Sequence, residues 1–116
     1  MINTNTIRLW TGTLHPSSTV GTYNYANFSA RADDCAAFIL YLTIAEDKIC
    51  EVIIPHFTGT ITKSVYLGTN YNVKVSININ TTTHKIGVKI DKIAGWTYNT
   101  VHIDCLYGII GTPLIA

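Results

Sequence analysis

Histidines and carboxylates are the side chains of this chain with the widest chemical use, because they ligate metals and move protons near neutral pH. His102 and Asp104 are two residues apart in an apolar segment. On a β-strand they would share one face and could hold one metal ion. No third ligand is placed by spacing, and two ligands do not make a site. We therefore interpret the pair as polar residues on an exposed strand face and predict no metal site.

No residue pattern typical of nucleophilic or acid–base catalysis is present. The GxSxG turn that exposes a serine nucleophile does not occur. The acidic pairs at 33–34 and 46–47 lie in predicted turns, where adjacent side chains diverge, so they are poor candidates for a paired acid and base. A cysteine–histidine dyad built on Cys50 or Cys105 stays open, although both lie within predicted strands. We predict that the protein is not an enzyme, with no catalytic residue and no cofactor.

The three cysteines, Cys35, Cys50 and Cys105, form no CxxC pair, so neither a zinc site nor a redox motif is predicted. A hairpin turning at 45–47 is expected to place Cys50 opposite Thr43. Cys35 then lies roughly 20 Å away, at ~3.3 Å per residue along a strand. A disulfide tolerates only about 7 Å between Cα atoms. We predict buried free thiols, as in a protein that folds in a reducing cytoplasm.

The aromatic residues are the strongest candidates for ligand contact. A ring face stacks on the apolar side of a sugar, and nearby Asn and Thr side chains match sugar hydroxyls. Six aromatic residues lie near predicted strand ends or loops: Tyr23, Tyr25, Tyr66, Tyr71, Trp96 and Tyr98. Packing in the core or at a subunit interface is the competing interpretation for each of them. The predicted ligand-binding residues are Trp96, Tyr98, Tyr71 and Tyr66.

Strict alternation of apolar and polar residues in two neighbouring segments, 71–80 and 85–93, predicts a β-hairpin. The loop 81–84 joins the two segments. In the predicted register every apolar residue lies on one face, whereas a slip of one residue would divide them between two faces. That register pairs Ile79 with Ile86, Ile77 with Val88 and Val75 with Ile90. It also places Lys74 opposite Asp91 on the outer face.

The same patterns along the chain predict an all-β fold, an antiparallel β-sandwich of jelly-roll-like type with seven to eight short strands. The nearly all-apolar segment 36–44 predicts a central strand covered on both faces. Pro55 cannot donate to a ladder, so 49–57 is expected to be an edge strand or to end there. Residues 1–116 are predicted to form one domain with peripheral tails at 1–6 and 111–116. Predicted strands cover 7–12, 21–30, 36–44, 49–57, 61–67, 71–80, 85–93 and 100–110.

The composition narrows the class of partner. Charged residues make up 13% of the 116 residues and the net charge is +1, so no electrostatic footprint for nucleic acid is expected. No apolar run approaches the ~20 residues of a membrane span, and no signal peptide is recognised at the start. With so little charge, burial of surface in an oligomer is one way for the chain to stay soluble.

Three short segments, taken in their order along the chain, resemble the C-terminal receptor-binding head domains of phage and prophage tail-fibre proteins. The first is Ile-Arg-Leu-Trp-Thr-Gly12, the second Ala-Phe-Ile-Leu-Tyr-Leu42 followed by Val-Ile-Ile-Pro55, and the third Ile-Ala-Gly-Trp96 with Leu-Tyr-Gly-Ile109. The resemblance extends from about Ile7 to Ile110. The central hairpin is richer in Ala and Cys than is usual in that family, and the residues after Gly111 have no counterpart in it.

The resemblance implies a β-sandwich head that forms a homotrimer, hangs from the tail-fibre shaft and attaches to host-surface polysaccharide. It places the protein in the phage tail of the virion, after assembly in the bacterial cytoplasm, with neither nucleic acid nor membrane as a partner. Three weak sites in a trimer would act together through avidity. Two alternatives stay open: a structural capsid-decoration or tail-assembly protein without a ligand, and a carbohydrate-binding module of a larger enzyme.

Overall fold

Alternating apolar residues along most of the chain form β-strands. The structure, a computed structural model, describes residues 5–44, 48–57, 59–67, 73–92 and 101–112. A short 3-10 helix, Ala30–Asp34, precedes the third strand and is capped by Ser29, whose hydroxyl accepts a hydrogen bond from the Arg31 amide. The strands are β1 (Thr6–Leu14), β2 (Asn24–Asn27), β3 (Cys35–Ile44), β4 (Lys48–Pro55), β5 (Thr60–Leu67), β6 (Val73–Asn80), β7 (Lys85–Lys92) and β8 (Val101–Ile110).

The strands form two four-stranded sheets that pack face to face. Sheet A has the order β1-β8-β3-β4 and sheet B the order β2-β7-β6-β5, and every pairing is antiparallel. The pairing of β1 with β8 and of β2 with β7 nests the first strands against the last, as in jelly rolls. The predicted all-β sandwich is confirmed.

The core lies between the sheets and is lined by every second residue of the central strands. The β6–β7 register is as predicted: Ile79 pairs with Ile86, Ile77 with Val88 and Val75 with Ile90. These six side chains are at most 1% exposed. On the other side of the core, sheet A contributes Phe38, Leu40, Leu42, Ile54, Ile103 and Leu106, which are also at most 1% exposed.

Two register predictions are wrong by one residue. Lys74 pairs with Lys92 and not with Asp91, because a bulge after the Val75–Ile90 pair leaves Asp91 as an extra residue in β7. Cys50 pairs with Leu42 and not with Thr43, because Ile44 pairs with Lys48 and each further step advances one residue on both strands.

Two element predictions also need correction. The segment predicted as a strand at 21–30 is a strand only over Asn24–Asn27, and its alternation ends where Ser29 caps the 3-10 helix. The strand predicted to be covered on both faces, β3, is central in its sheet, but within this chain its outer face is buried only at Thr43 among the described side chains. Ile39 and Tyr41 on its outer face keep part of their surface in solvent.

Each of the four edge strands carries a feature that hinders further strand pairing. β2 has only four residues, and β1 has two register irregularities against β8. β4 ends at Pro55, which lacks an amide proton, so the predicted edge strand is confirmed. In β5, Lys63 pairs with the inward-facing Ile77 and so points a charge to the inner side of the edge. All four are known devices against edge-to-edge association.

Candidate functional site

The outer face of sheet B, which we call the polar face, is built around a glycine. Along β7 the outward positions are Lys85, Gly87, Lys89 and Asp91. Of these four, Gly87 alone has no side chain to cover the backbone. Tyr25 pairs with Gly87 from β2. A Cβ atom at Gly87 would lie 2.7 Å from Cε1 of Tyr25 and 3.1 Å from Cδ1 of Tyr23. Both rings therefore lie against the β7 backbone, in space that any other residue would fill.

The two tyrosine rings form one aromatic surface. Their centroids are 5.6 Å apart and their planes are inclined by 26°. The Lys89 ammonium lies 5.1 Å from the centroid of the Tyr23 ring, a cation–π distance that holds this ring in place. Tyr25 is 53% exposed, so its ring offers a large area to a ligand.

Polar side chains continue the surface across the sheet. Asn78 pairs with Gly87 from β6, and Thr62 pairs with Asn78 from β5, so amide and hydroxyl groups lie in one row with Tyr25. One row further along, the Ser76 hydroxyl donates to Asp91, whose Oδ1 lies 3.4 Å from the Lys89 ammonium. An aromatic face beside hydrogen-bonding groups matches the two sides of a sugar ring.

Of the four predicted ligand-binding residues, the structure describes one. Tyr66 lies on β5 of the polar face opposite Lys74 and is 56% exposed. It also lines an open groove of about 490 Å³ between the edge strands β4 and β5, with Glu51 and Lys63 among the other lining residues. Its ligand contact stays a prediction. Trp96, Tyr98 and Tyr71 lie outside the described residues.

Sequence reasoning named Tyr23 and Tyr25 as aromatic candidates but left them out of the predicted site, and it did not consider Gly87. Two signals were present. The Tyr-x-Tyr spacing places both rings on one face of an extended segment. A glycine at an outward position of β7, between two lysines, marks a place where another group approaches the backbone. What was missing is the pairing of β2 with β7, which joins segments about sixty residues apart.

His102 and Asp104 come together as their spacing predicts, at one end of sheet A. Nδ1 of His102 lies 2.6 Å from Oδ1 of Asp104, although the contact lacks the angles of a hydrogen bond. The other carboxylate oxygen of Asp104 accepts a hydrogen bond of 2.5 Å from the Thr43 hydroxyl. His15 packs edge-on against His102 and contacts the Val101 carbonyl through Nδ1 at 3.1 Å. Because the Thr43 hydroxyl is directed to the carboxylate and not to an imidazole, the arrangement is not that of an activated nucleophile.

The other two histidines have structural contacts. Nδ1 of His56 is 2.7 Å from the Cys35 carbonyl oxygen, and the ring is buried against Phe38. Nε2 of His84 is 2.9 Å from Asp33 and fixes the β6–β7 turn to the 3-10 helix. Among the described residues, no group of three or more metal-ligating side chains lies close enough to hold an ion.

All three thiols belong to sheet A and are free. Burial raises the pKa of Cys35, and the Asp34 carboxylate raises it further. Burial also raises the pKa of Cys50 and of Cys105. A raised pKa disfavours the thiolate, which is the nucleophilic form, so these cysteines are not activated.

The outer face of sheet A differs in kind, and we call it the apolar face. Ile39 of β3 pairs with Ile53 of β4 and with Tyr107 of β8, which gives three adjacent apolar side chains in one row. Ile53 is 55% exposed and Ile49, further along β4, is 69% exposed. The apolar residues of this face are Ala37, Ile39, Tyr41, Ile49, Ile53, Tyr107 and Ile109, and Glu51 and Cys105 lie among them on either side of Tyr41.

Protein-family models, curated proteins and solved structures contain no match to this chain. Two features of the fold therefore bear on function. They are the polar face, with its tyrosines and amides, and the apolar face. No helix among the described residues is long and apolar enough to cross a membrane.

Proposed function

We propose that this protein is a non-enzymatic attachment domain that binds host-surface polysaccharide, of the tail-fibre receptor-binding type that its sequence resembles. The observation that carries the proposal is the Tyr23–Tyr25 pair lying against Gly87, with the Tyr25 residue 53% exposed. The Tyr25 ring is held in place by its contacts with the β7 backbone and with Tyr23, and the residue stays open to solvent.

The chemistry around Tyr25 favours a sugar over a purely apolar ligand. Asn78 lies in the neighbouring position across Gly87 and provides an amide donor and acceptor. Sugar rings have apolar C–H faces and polar edges, so a ring on Tyr25 would place its hydroxyls within reach of this amide. The site is a shallow face and not a deep pocket, which suits a polymer that extends beyond it.

We also propose that the domain forms a homotrimer through the apolar face, attached to the rest of a tail-fibre shaft. The row Ile53–Ile39–Tyr107 supports this, because exposed contiguous apolar side chains on a soluble domain mark association surfaces. The nearly continuous apolar sequence of β3 is typical of a strand covered on both sides. A second copy would supply the cover that one chain lacks and would leave the polar faces pointing outward.

Glycan binding is tested by titrating the protein against a panel of purified bacterial surface polysaccharides, with Tyr25→Ala and Tyr25→Phe as the matched variants. Loss of the ring should weaken binding roughly three- to tenfold, the size of one aromatic stacking contact. Tyr25→Phe keeps the ring and should retain the affinity. If no polysaccharide binds at about 1 mM, or if both variants bind like the native chain, this function is wrong.

Self-association is tested by size-exclusion chromatography with light scattering. The native chain should elute as a trimer and Ile53→Asp as a monomer, because a carboxylate in a buried apolar contact is strongly unfavourable. Thr62→Asp on the polar face is the control and should remain trimeric. A monomeric native chain would contradict the proposed assembly and would favour the carbohydrate-binding module.

A further inference from the structure

The two sheets differ in charge although the whole chain is nearly neutral. The strands of sheet B carry Lys63, Lys74, Lys85, Lys89 and Lys92 against the single acid Asp91, a net charge of +4. The strands of sheet A carry Arg8 and Lys48 against Glu51 and Asp104, a net charge of zero. Sheet B is therefore basic, although the net charge of the whole chain is only +1.

Most of this charge lies on the polar face. Lys85 and Lys89 occupy outward positions of β7, and Lys74 is exposed between the inward-facing Val73 and Val75. Lys92 pairs with Lys74, so both side chains leave the sheet on the same side. Lys63 is the exception, because it faces the inner side of β5.

The pairing of Lys74 with Lys92 has an electrostatic cost. Like charges directly opposite each other destabilise an antiparallel pair. Among the described residues neither lysine has an ion pair, and the nearby Asp91 is occupied by Ser76 and Lys89. Lys85 likewise has no acidic partner in the described part of the chain. A bound anion would offset this repulsion.

Lys85, Lys89 and Lys92 form a line along β7, and the two tyrosine rings lie over Gly87 within it. From Lys85 to Lys92 the line covers eight residues, or seven steps of ~3.3 Å and roughly 23 Å in all, and it includes Asp91, which is ion-paired with Lys89. Tyr23 and Tyr25 flank it on the β2 side and Asn78 flanks it on the β6 side. A single phosphate or carboxylate is far shorter than this line, so the match is to a polymer with repeated acid groups.

We infer that the ligand of the polar face is an anionic polysaccharide, whose sugar rings lie on Tyr25 and whose acid groups meet Lys85, Lys74 and Lys92. This inference depends on the proposed glycan-binding function and adds the charge of the substrate class. A sugar polymer is favoured over nucleic acid because the face offers one short aromatic surface with amides and hydroxyls, and not a series of rings on which successive bases could stack.

The experiment compares acidic polymers with neutral forms of the same backbone. Polygalacturonate is set against its methyl ester, and dextran sulfate against dextran, with single-stranded oligothymidylate as the nucleic-acid arm. The acidic forms should bind at least several times more tightly than their neutral counterparts, and added NaCl should weaken that binding. Lys85→Gln and Lys92→Gln should each weaken it about two- to fivefold, the size expected for one exposed ion pair.

Lys63→Gln is the matched control, because it removes the same charge from the same sheet but on its other side, and it should leave the affinity unchanged. If neutral and acidic forms bind equally and Tyr25→Ala weakens both, glycan binding stands and the inferred charge of the ligand is wrong. If Lys63→Gln is as damaging as Lys85→Gln, the charge acts as a general field and not at a site, which also overturns the inference. If oligothymidylate binds more tightly than every polysaccharide, the inference is wrong and nucleic-acid binding is favoured. If no polymer binds, both the inference and the proposed glycan-binding function are wrong.

Discussion

The two outer faces of the sandwich are made by the same kind of strand and have opposite characters. On sheet A isoleucine and tyrosine predominate among the outward residues of three adjacent strands, with Glu51 opposite Tyr41, and the net strand charge is zero. On sheet B they are lysine, asparagine, serine and threonine, with tyrosines over a glycine. Both faces share one core, so stability does not require this difference. The proposed association of copies through the apolar face and the proposed binding of a charged polymer on the polar face would account for it.

The largest expected effect is a difference in the free energy of unfolding between substitutions on the inner and the outer face of β3. Leu40→Ala removes a fully buried side chain and should lower the free energy of unfolding by about 2–5 kcal/mol. Ile39→Ala, its neighbour on the apolar face, should cost less than about 1 kcal/mol in a monomer. Urea denaturation of both variants in the Ile53→Asp background, where association does not contribute, measures the difference. Equal losses would mean that the apolar face is already covered within one chain.

A smaller effect is expected at the tyrosine platform. Gly87→Ala introduces a Cβ atom 2.7 Å from the Tyr25 ring and should displace it, which would weaken glycan affinity roughly three- to tenfold. Gly12→Ala is the control on sheet A, because its Cβ atom would also meet an aromatic ring, Trp10, at 2.9 Å. It should leave affinity unchanged. Equal effects of the two substitutions would place the site somewhere other than on the polar face.

The smallest expected effect is a pH dependence carried by sheet A. Burial holds the pKa of Cys35 above 9.0, the value for a free thiol. Below that pH both the folded and the unfolded chain are protonated, so the contribution is fully present. Above it the unfolded chain loses its proton first, and the free energy of unfolding should decline by at most about 1.4 kcal/mol per pH unit for one thiol.

Urea titrations between neutral and alkaline pH measure this decline, and Cys35→Ala should reduce its slope. A slope that is unchanged in Cys35→Ala would assign the pH dependence to other groups. Tyr41 on the apolar face is one such group, since its hydrogen bond with Glu51 raises the pKa of its phenol.

The sequence predicted the parts of the fold that depend on local alternation. The β6–β7 register follows from hydrophobic residues at every second position, because only one alignment places them all on one side. The bulge at Asp91 could not be predicted, since it changes no apolar position. The strand predicted over 21–30 was too long, because a capping serine and a short helix end the alternation.

The candidate site was predictable only in its residue types. Tyr23 and Tyr25 were among the six aromatic candidates, but the surface that they form exists only because β2 lies beside β7. That neighbour relation is set by the order of strands in the sandwich, which no short segment encodes. The basic face has the same origin. Its lysines are separated along the sequence by apolar residues and gather on one side only when the sheet forms.

The protected edges of the sheets limit how copies of this chain can join. Short β2, irregular β1, Pro55 and the inward Lys63 all prevent a new strand from adding to a sheet. The proposed contact between copies through a sheet face does not extend the hydrogen-bond ladder of either sheet. Growth of the chain into edge-to-edge β-fibrils should therefore be hindered even at high local density.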